Sequence, residues 1–226
     1  MTDLESIPTD LPLFDGIPTE KIPHVLRCLN VRVCNYDKRD YIFNHLRPST
    51  YTGYLCEGTA FIVSNDVHGN RSILSECKPG SVLAAEQFFK LDSPISTDVI
   101  ASTPCQVLLF NLEEEVEAKP CCMVHVDHVR ANLSRSAMQM NNELLGKLEI
   151  VSNRSTREKV FAYLSDQVKL NDSKSFDIPF TRQELADALY VDRSALSREL
   201  SKLQREGYIS YSGKHFEVHS LPQLDD

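Results

Sequence analysis

A change of hydrophobic period partway along the chain limits the folds open to it more than any other feature. Between Val31 and Asn111 the apolar residues fall in short β-rich runs: Val31–Tyr36, Tyr51–Cys56, Thr59–Ser64, Arg71–Glu76 and Cys105–Asn111. Gly and Pro punctuate them at Pro48, Gly53, Gly58, Gly69 and Pro79-Gly80. Glu57-Gly58 and His68-Gly69-Asn70 read as hairpin turns, because Gly reaches positive φ without a Cβ clash. Many short strands with turns at near-regular spacing fit a β-barrel, roll or sandwich. Ahead of them, Ile22, Val25, Leu26 and Leu29 keep helical spacing within Thr19–Leu29.

From Cys121 to Val151 there is no Pro and a single Gly, so this stretch reads as one long helix. Val126, Leu133, Ala137, Met140, Leu144 and Val151 recur at a period near 3.5, with Arg130 and Lys147 filling the gaps. About 30 residues make about 45 Å of helix, longer than a small β-domain is wide. The stripe therefore predicts a second helix alongside, in a homodimer. Packing on the chain's own β-core is the alternative.

Two capping boxes follow. Ser155-Thr-Arg-Glu158 opens a helix over Thr156–Val168, which puts a break at Ser152–Arg154. Thr181-Arg-Gln-Glu184 opens another, with Leu185, Ala186 and Leu189 on one face. After a turn at Tyr190-Val191, Asp192 is the expected N-cap of a helix over Arg193–Glu206. Leu196, Leu200 and Leu203 point inward there, while Arg193, Ser194, Ser197, Arg198 and Lys202 point outward. Two short helices joined by a tight turn form a helix-turn-helix. Tyr208–Tyr211 and His215–His219 alternate around Ser212-Gly213-Lys214, a β-hairpin that makes the unit winged.

Such a unit suits DNA. A helix in the major groove presents its N-terminal side chains to base edges. Arg pairs with guanine O6/N7 and Ser with several bases, so Arg193, Ser194, Ser197 and Arg198 are the candidate readers. Arg182, Lys202 and Lys214 are expected at phosphates, giving register and salt-dependent affinity. Charge permits this when counted by region. The chain carries a net -8, but residues 154–220 hold 11 Lys+Arg against 10 Asp+Glu. The acidity sits upstream and in the tail.

The composition is that of an ordinary soluble domain pair: 226 residues, 42% hydrophobic and 25% charged. Apolar runs such as Val107–Phe110 are too short to span a bilayer, and the acidic, polar Met1–Leu11 is no signal peptide. Seven scattered cysteines without C-x-x-C spacing predict reduced thiols and a cytoplasmic location. No nucleophile–base pattern or phosphate loop suggests an enzyme.

The run TRQELADALYVDRSALSRELSKLQREGYIS resembles the winged helix-turn-helix of the Crp–Fnr transcription regulators. YLCEGTAFIV, HGNRSILSECKPGSVLA and the long helix resemble that family's β-roll and dimer helix. The resemblance implies a homodimer on a near-palindromic duplex DNA site, with RNA polymerase as a further partner. It maps the base readers onto Arg193, Ser194, Ser197 and Arg198. Ser194 stands where many members carry Glu, so their half-site does not transfer. Tyr190 stands where Gly is frequent; a positive φ there costs about 1 kcal/mol or more, so the turn can differ slightly.

Cyclic-nucleotide binders of the family carry Gly-Glu followed by Arg-Ser or Arg-Thr, which anchor phosphate and ribose. Aligned without gaps, Ala84-Ala85 falls on the first pair and Ile95-Ser96 on the second; Glu86 reaches the Glu position only with a one-residue slip. The adenine-contacting pair falls on Leu144-Leu145. Cyclic AMP is therefore not the expected effector; an apolar small molecule or thiol redox chemistry is, with an effector-independent regulator as the alternative. The first 27 residues hold no Cys, which argues against an iron–sulfur cluster. Cys121, Cys122, His125 and His128 open the long helix at i,i+3 and i,i+4 spacing, a candidate redox or metal site set against plain helix-surface residues. No bound cofactor is expected.

The expected architecture is α+β: an N-terminal β-roll (jelly-roll-like) sensor domain over 1–120 and a dimerisation helix over 121–152. A winged helix-turn-helix over 153–220 and a disordered acidic tail over 221–226 complete it. The contrasting reading is a β-roll module whose C-terminal domain contacts protein instead of DNA.

Overall fold

The structure, a computed structural model, describes residues 7–47, 49–65, 68, 71–84, 97–110 and 120–221, with side chains in the long helix from Met123 onward. It divides into two compact units, Met1–Gly69 with Leu74–Glu143, and Asn70–Ile73 with Leu144–Asp226. The division falls within the long helix.

The first unit is built on two four-stranded sheets. One has the order β1 (Arg32–Tyr36), β8 (Cys105–Phe110), β3 (Thr52–Glu57), β6 (Val82–Leu83). The other runs β2 (Tyr41–Phe43), β7 (Asp98–Ala101), β4 (Ala60–Asn65), β5 (Arg71–Cys77). The β1–β8, β3–β8, β3–β6, β2–β7 and β4–β7 pairs are antiparallel. Leu55, Leu83 and Val107 of the first sheet share one buried cluster with Ile42, Ala60, Cys77, Val99 and Ala101 of the second. Tyr54, Cys56, Leu108 and Phe110 point the other way, into a second cluster. The first sheet is thus buried on both faces, which explains the unbroken apolar run at Val107–Phe110.

That second cluster is covered by the N-terminal segment and the long helix. Leu13, Phe14 and Ile17 join it with Ile22, Val25 and Leu26 of α1 (Ile22–Cys28) and Val126, Val129 and Leu133 of α2 (Pro120–Val151). Polar bonds fix this covering. Buried Asn132 donates from Nδ2 to the Leu13 and Asp15 carbonyls at 3.0 and 2.9 Å. The Leu13 N–H donates to the Tyr54 hydroxyl at 3.2 Å.

Much of the expected dimer stripe lies here. Val126 and Leu133 are fully buried in the unit's own core and Met140 packs on the inter-sheet cluster. The exposed large apolar residues of α2 are Met123, Val124, Met138, Leu145 and Leu148, of which Val124, Met138 and Leu145 lie fourteen and seven residues apart on a different line. The sequence stripe is therefore corrected. Its period is real, but a helix with apolar residues on two faces presents two candidate lines, and burial decides between them.

The second unit contains α3 (Thr156–Asn171), α4 (Arg182–Leu189), α5 (Arg193–Arg205) and a sheet of order β10 (Ile209–Ser212), β11 (His215–Val218), β9 (Ser175–Asp177). Both capping boxes are formed, at Ser155/Glu158 and Thr181/Glu184. Phe161, Leu164, Leu185, Leu189, Leu196, Leu200, Leu203 and Phe216 fill the core. Leu221 is fully buried as well, so the segment read as a disordered tail starts one residue later at the earliest; 222–226 lie outside the described residues.

Four strands were invisible to periodicity: β2, β6, β7 and β9 have two to four residues each. β7 also opens on a buried Asp98, which breaks the apolar pattern. Its carboxylate is satisfied by His45, whose backbone N–H and Nδ1–H donate to Oδ1 at 2.9 and 2.8 Å.

Glu57-Gly58 is not a hairpin turn: β3 and β4 belong to different sheets, and Gly58 is a bend that carries the chain from one to the other, at φ +84 with an added Cβ only 2.1 Å from the Pro104 carbonyl oxygen. Gly58→Ala is expected to cost about 3 kcal/mol or more from left-handed strain plus displaced backbone, read by urea unfolding. In the second unit, burial pushes the Lys147 amine from 10.5 down to about 8. Between those values the unfolded chain binds more protons than the folded one, so this lysine's contribution to stability rises with pH across that window. Thermal unfolding of Lys147→Met against the wild-type chain from pH 8 to 10.5 should show the variant lacking that part of the rise.

Candidate nucleic-acid interface

α5 is amphipathic in the sense a groove-binding helix requires. Leu196, Leu200 and Leu203 are buried below it. Arg193, Ser194, Arg198 and Lys202 are exposed on the opposite side, and Ser197 is half-buried. Neither Arg193 nor Arg198 forms an ion pair among the described residues. Asp192 occupies the N-cap position as expected, with extended backbone, but its side chain makes no capping hydrogen bond.

The helix also carries acids, and their placement matters for a polyanionic ligand. Glu199 bonds to Arg157 at 3.1 Å, and Glu206 bonds to the same guanidinium. Arg157 in turn lies 5.1 Å from the Phe161 ring centroid and 5.3 Å from that of Tyr208. The hydrogen bond to Arg157 holds the Glu206 carboxyl below its usual range. This inner cation partly neutralises two carboxylates that would otherwise repel phosphates. Sequence reading missed Arg157; its only local signal was its place within the first capping box.

The turn between α4 and α5 keeps left-handed geometry in spite of Tyr190, which takes φ 54 and ψ 51 as the C-cap of α4. The tyrosine thus adopts the left-handed conformation that Gly takes more cheaply. Its ring lies 5.9 Å from the Lys147 ammonium.

Two residues expected at phosphates are engaged within the protein. Arg182 stacks over the wing, 4.8 Å from the Tyr211 ring centroid and 5.5 Å from that of Phe216. Lys214 donates from Nζ to the Pro179 carbonyl. Lys202 stays at the surface with Glu206 at 4.0 Å.

The effector-side residues divide. Ala84 follows β6 with φ 52, a left-handed conformation that Gly adopts more readily, and its carbonyl accepts from Thr52 Oγ1 at 3.4 Å. Ala85, Glu86, Ile95 and Ser96 lie outside the described residues. Leu144 is half-buried and Leu145 exposed. The side chains of Cys121 and Cys122 are likewise outside the description. His125 and His128 stand edge to face with centroids 6.3 Å apart. His128 Nδ1 bonds to the Gly16 carbonyl at 3.0 Å, which ties this ring to the N-terminal segment. Among the described residues, no group of three or more His, Cys, Asp or Glu could hold a metal ion.

Comparison with known proteins agrees with this architecture. The Crp-like helix-turn-helix domain family matches residues 158–226, and the cyclic nucleotide-binding domain family matches residues 33–116. Transcriptional activator protein FnrL of Cereibacter sphaeroides is 27% identical over 132 residues, 53% of this chain and 50% of that protein. The match spans about half the length of that curated relative. Among solved structures, the c-di-GMP responsive global regulator CLP of Xanthomonas campestris aligns with TM-score 0.71 at 15% identity, over 88% of this chain and 99% of that one. FixK2 of Bradyrhizobium japonicum aligns with TM-score 0.60 at 20% identity, over 86% and 96%. Identities this low speak for the fold alone. With a cyclic nucleotide-binding domain, a long helix and a Crp-like helix-turn-helix in this order, the chain belongs to the Crp–Fnr family of transcription regulators.

Proposed function

We propose that this chain is a DNA-binding transcription regulator that works as a homodimer on a near-palindromic site. The observation that carries the reading is the face of α5. Arg193, Ser194, Arg198 and Lys202 stand exposed over a buried leucine row, and the acids of the helix are engaged by Arg157. Arg193 and Arg198 suit guanine edges, and Ser194 and Ser197 add hydrogen bonds without a carboxylate. Two-fold symmetry sets half-sites about one helical turn, roughly 34 Å, apart.

Dimerisation runs along the exposed line Val124, Met138, Leu145 and Leu148 of α2. Separations of fourteen and seven residues from Val124 to Leu145 are multiples of a heptad, which favours a left-handed pair of helices. RNA polymerase is the further protein partner of this reading, and no catalytic step enters it. No described helix is long and apolar enough to cross a membrane.

The effector is a small apolar molecule or a thiol oxidant rather than cyclic AMP. Apolar residues of both sheets form one buried cluster, and Leu144 and Leu145 offer no polar group to a purine. Among the described thiols, burial pushes Cys56 up to about 12 and raises Cys77 and Cys105, which makes those three poor thiolates at neutral pH. Redox sensing would then fall to Cys121 and Cys122 of the long helix or to the half-buried Cys28 and Cys34.

Fluorescence anisotropy on DNA from upstream of the chain's own coding region tests the regulator reading. Binding should weaken by about a hundredfold or more between roughly 50 and 200 mM salt. Arg198→Ala should cost about 1–3 kcal/mol and relax one base position. Millimolar cyclic AMP should leave the curve unchanged; a micromolar response would overturn that part. Salt-indifferent binding, or none on this DNA or on a randomised duplex pool, would sink the DNA reading. For the dimer, sedimentation velocity of Leu145→Glu should show monomer where the wild-type chain sediments as dimer, because the substitution sets two carboxylates on one seam.

A further inference from the structure

We infer that Arg182 positions the wing and does not grip DNA itself: with Tyr211 and Ser201 it braces the β10–β11 hairpin against both helices of the helix-turn-helix. The wing is thereby held where it meets the duplex flanking the bases read by α5. This inference rests on the DNA-binding reading above.

A phosphate clamp needs the N–H edges of the guanidinium turned to solvent, where they donate in a fork. Arg182 does the opposite. Its Nη1 is buried with no hydrogen-bond partner, and Nη2 faces the Gly213 carbonyl at 3.5 Å. Its planar face lies over two rings, 4.8 Å from the Tyr211 centroid and 5.5 Å from that of Phe216. A cation partly withdrawn from water needs such aromatic faces to offset its lost hydration.

The contact reaches across the whole unit. Arg182 is the first residue of α4. Tyr211 belongs to β10, stacks on Phe216 of β11 at 5.6 Å and 25°, and meets Ser201 of α5 through hydroxyls 3.4 Å apart. At the wing tip, Lys214 bonds to the Pro179 carbonyl, and the Ile178 N–H donates to the Lys214 carbonyl at 3.0 Å. The hairpin gains a third strand from β9, which pairs with β11, but β10 is the outer strand of that sheet, and Tyr211 on it is the residue that Arg182 and Ser201 meet. Arg182 is the anchor that links it to the start of α4.

The test uses the full chain and the variant Arg182→Met, which keeps the apolar stem and removes the cation. The probes are a duplex of about 30 base pairs, selected from a randomised pool by the wild-type protein, and the same duplex trimmed by about four pairs at each end beyond the half-sites. The variant should bind the long duplex about tenfold more weakly and the trimmed one within about twofold of the wild-type chain. Equal loss on both probes would place Arg182 on the core site and overturn the inference, as would no loss on either. Amide hydrogen exchange of the DNA-free chain gives an independent readout. Exchange at residues 211–214 should quicken in the variant while α5 stays protected; unchanged exchange would overturn the brace. If the wild-type chain selects no duplex, the DNA reading falls, and the exchange result alone still decides whether the brace exists.

Discussion

The sheet β1-β8-β3-β6 is apolar on both faces, and the rest of the first unit follows from the need to cover it. One face is closed by the second sheet. The other needs a separate cover, supplied by the N-terminal segment, α1 and the first half of α2. Burying this much apolar surface is the main stabilising term, but burial alone is non-directional. Direction comes from Asn132, whose two donor bonds to Leu13 and Asp15 fix how the segment crosses the helix. A buried amide left without those carbonyls would cost more than the bonds contribute, so the arrangement is specified as well as stable.

The same covering orients the long helix. Once Val126, Val129 and Leu133 are turned inward, helical geometry turns Val124, Met138 and Leu145 outward.

In the second unit, electrostatics are arranged in depth. Arg157 sits behind α5 and engages Glu199 and Glu206, leaving Arg193 and Arg198 to face outward. Arg182 is turned onto the wing rings, and Lys214, exposed at the wing tip, bonds back to the Pro179 carbonyl. Cations of one type therefore do three kinds of work here: neutralising acids, bracing strands and presenting charge.

Local signals were legible wherever a few neighbouring residues decide the outcome. The capping boxes at Ser155 and Thr181, the leucine row of α5 and the wing strands follow from hydrogen bonds or spacing within a few residues, and sequence alone determined them. What only the tertiary structure decided involves partners far apart in the chain. Which of two apolar lines on α2 is buried depends on a segment more than 100 residues upstream. Whether Arg182 faces solvent or a wing ring depends on Tyr211, 29 residues downstream. Whether Asp98 sits in a strand depends on His45 reaching it from another part of the unit. A periodicity names the face of an element, but only packing names its neighbour.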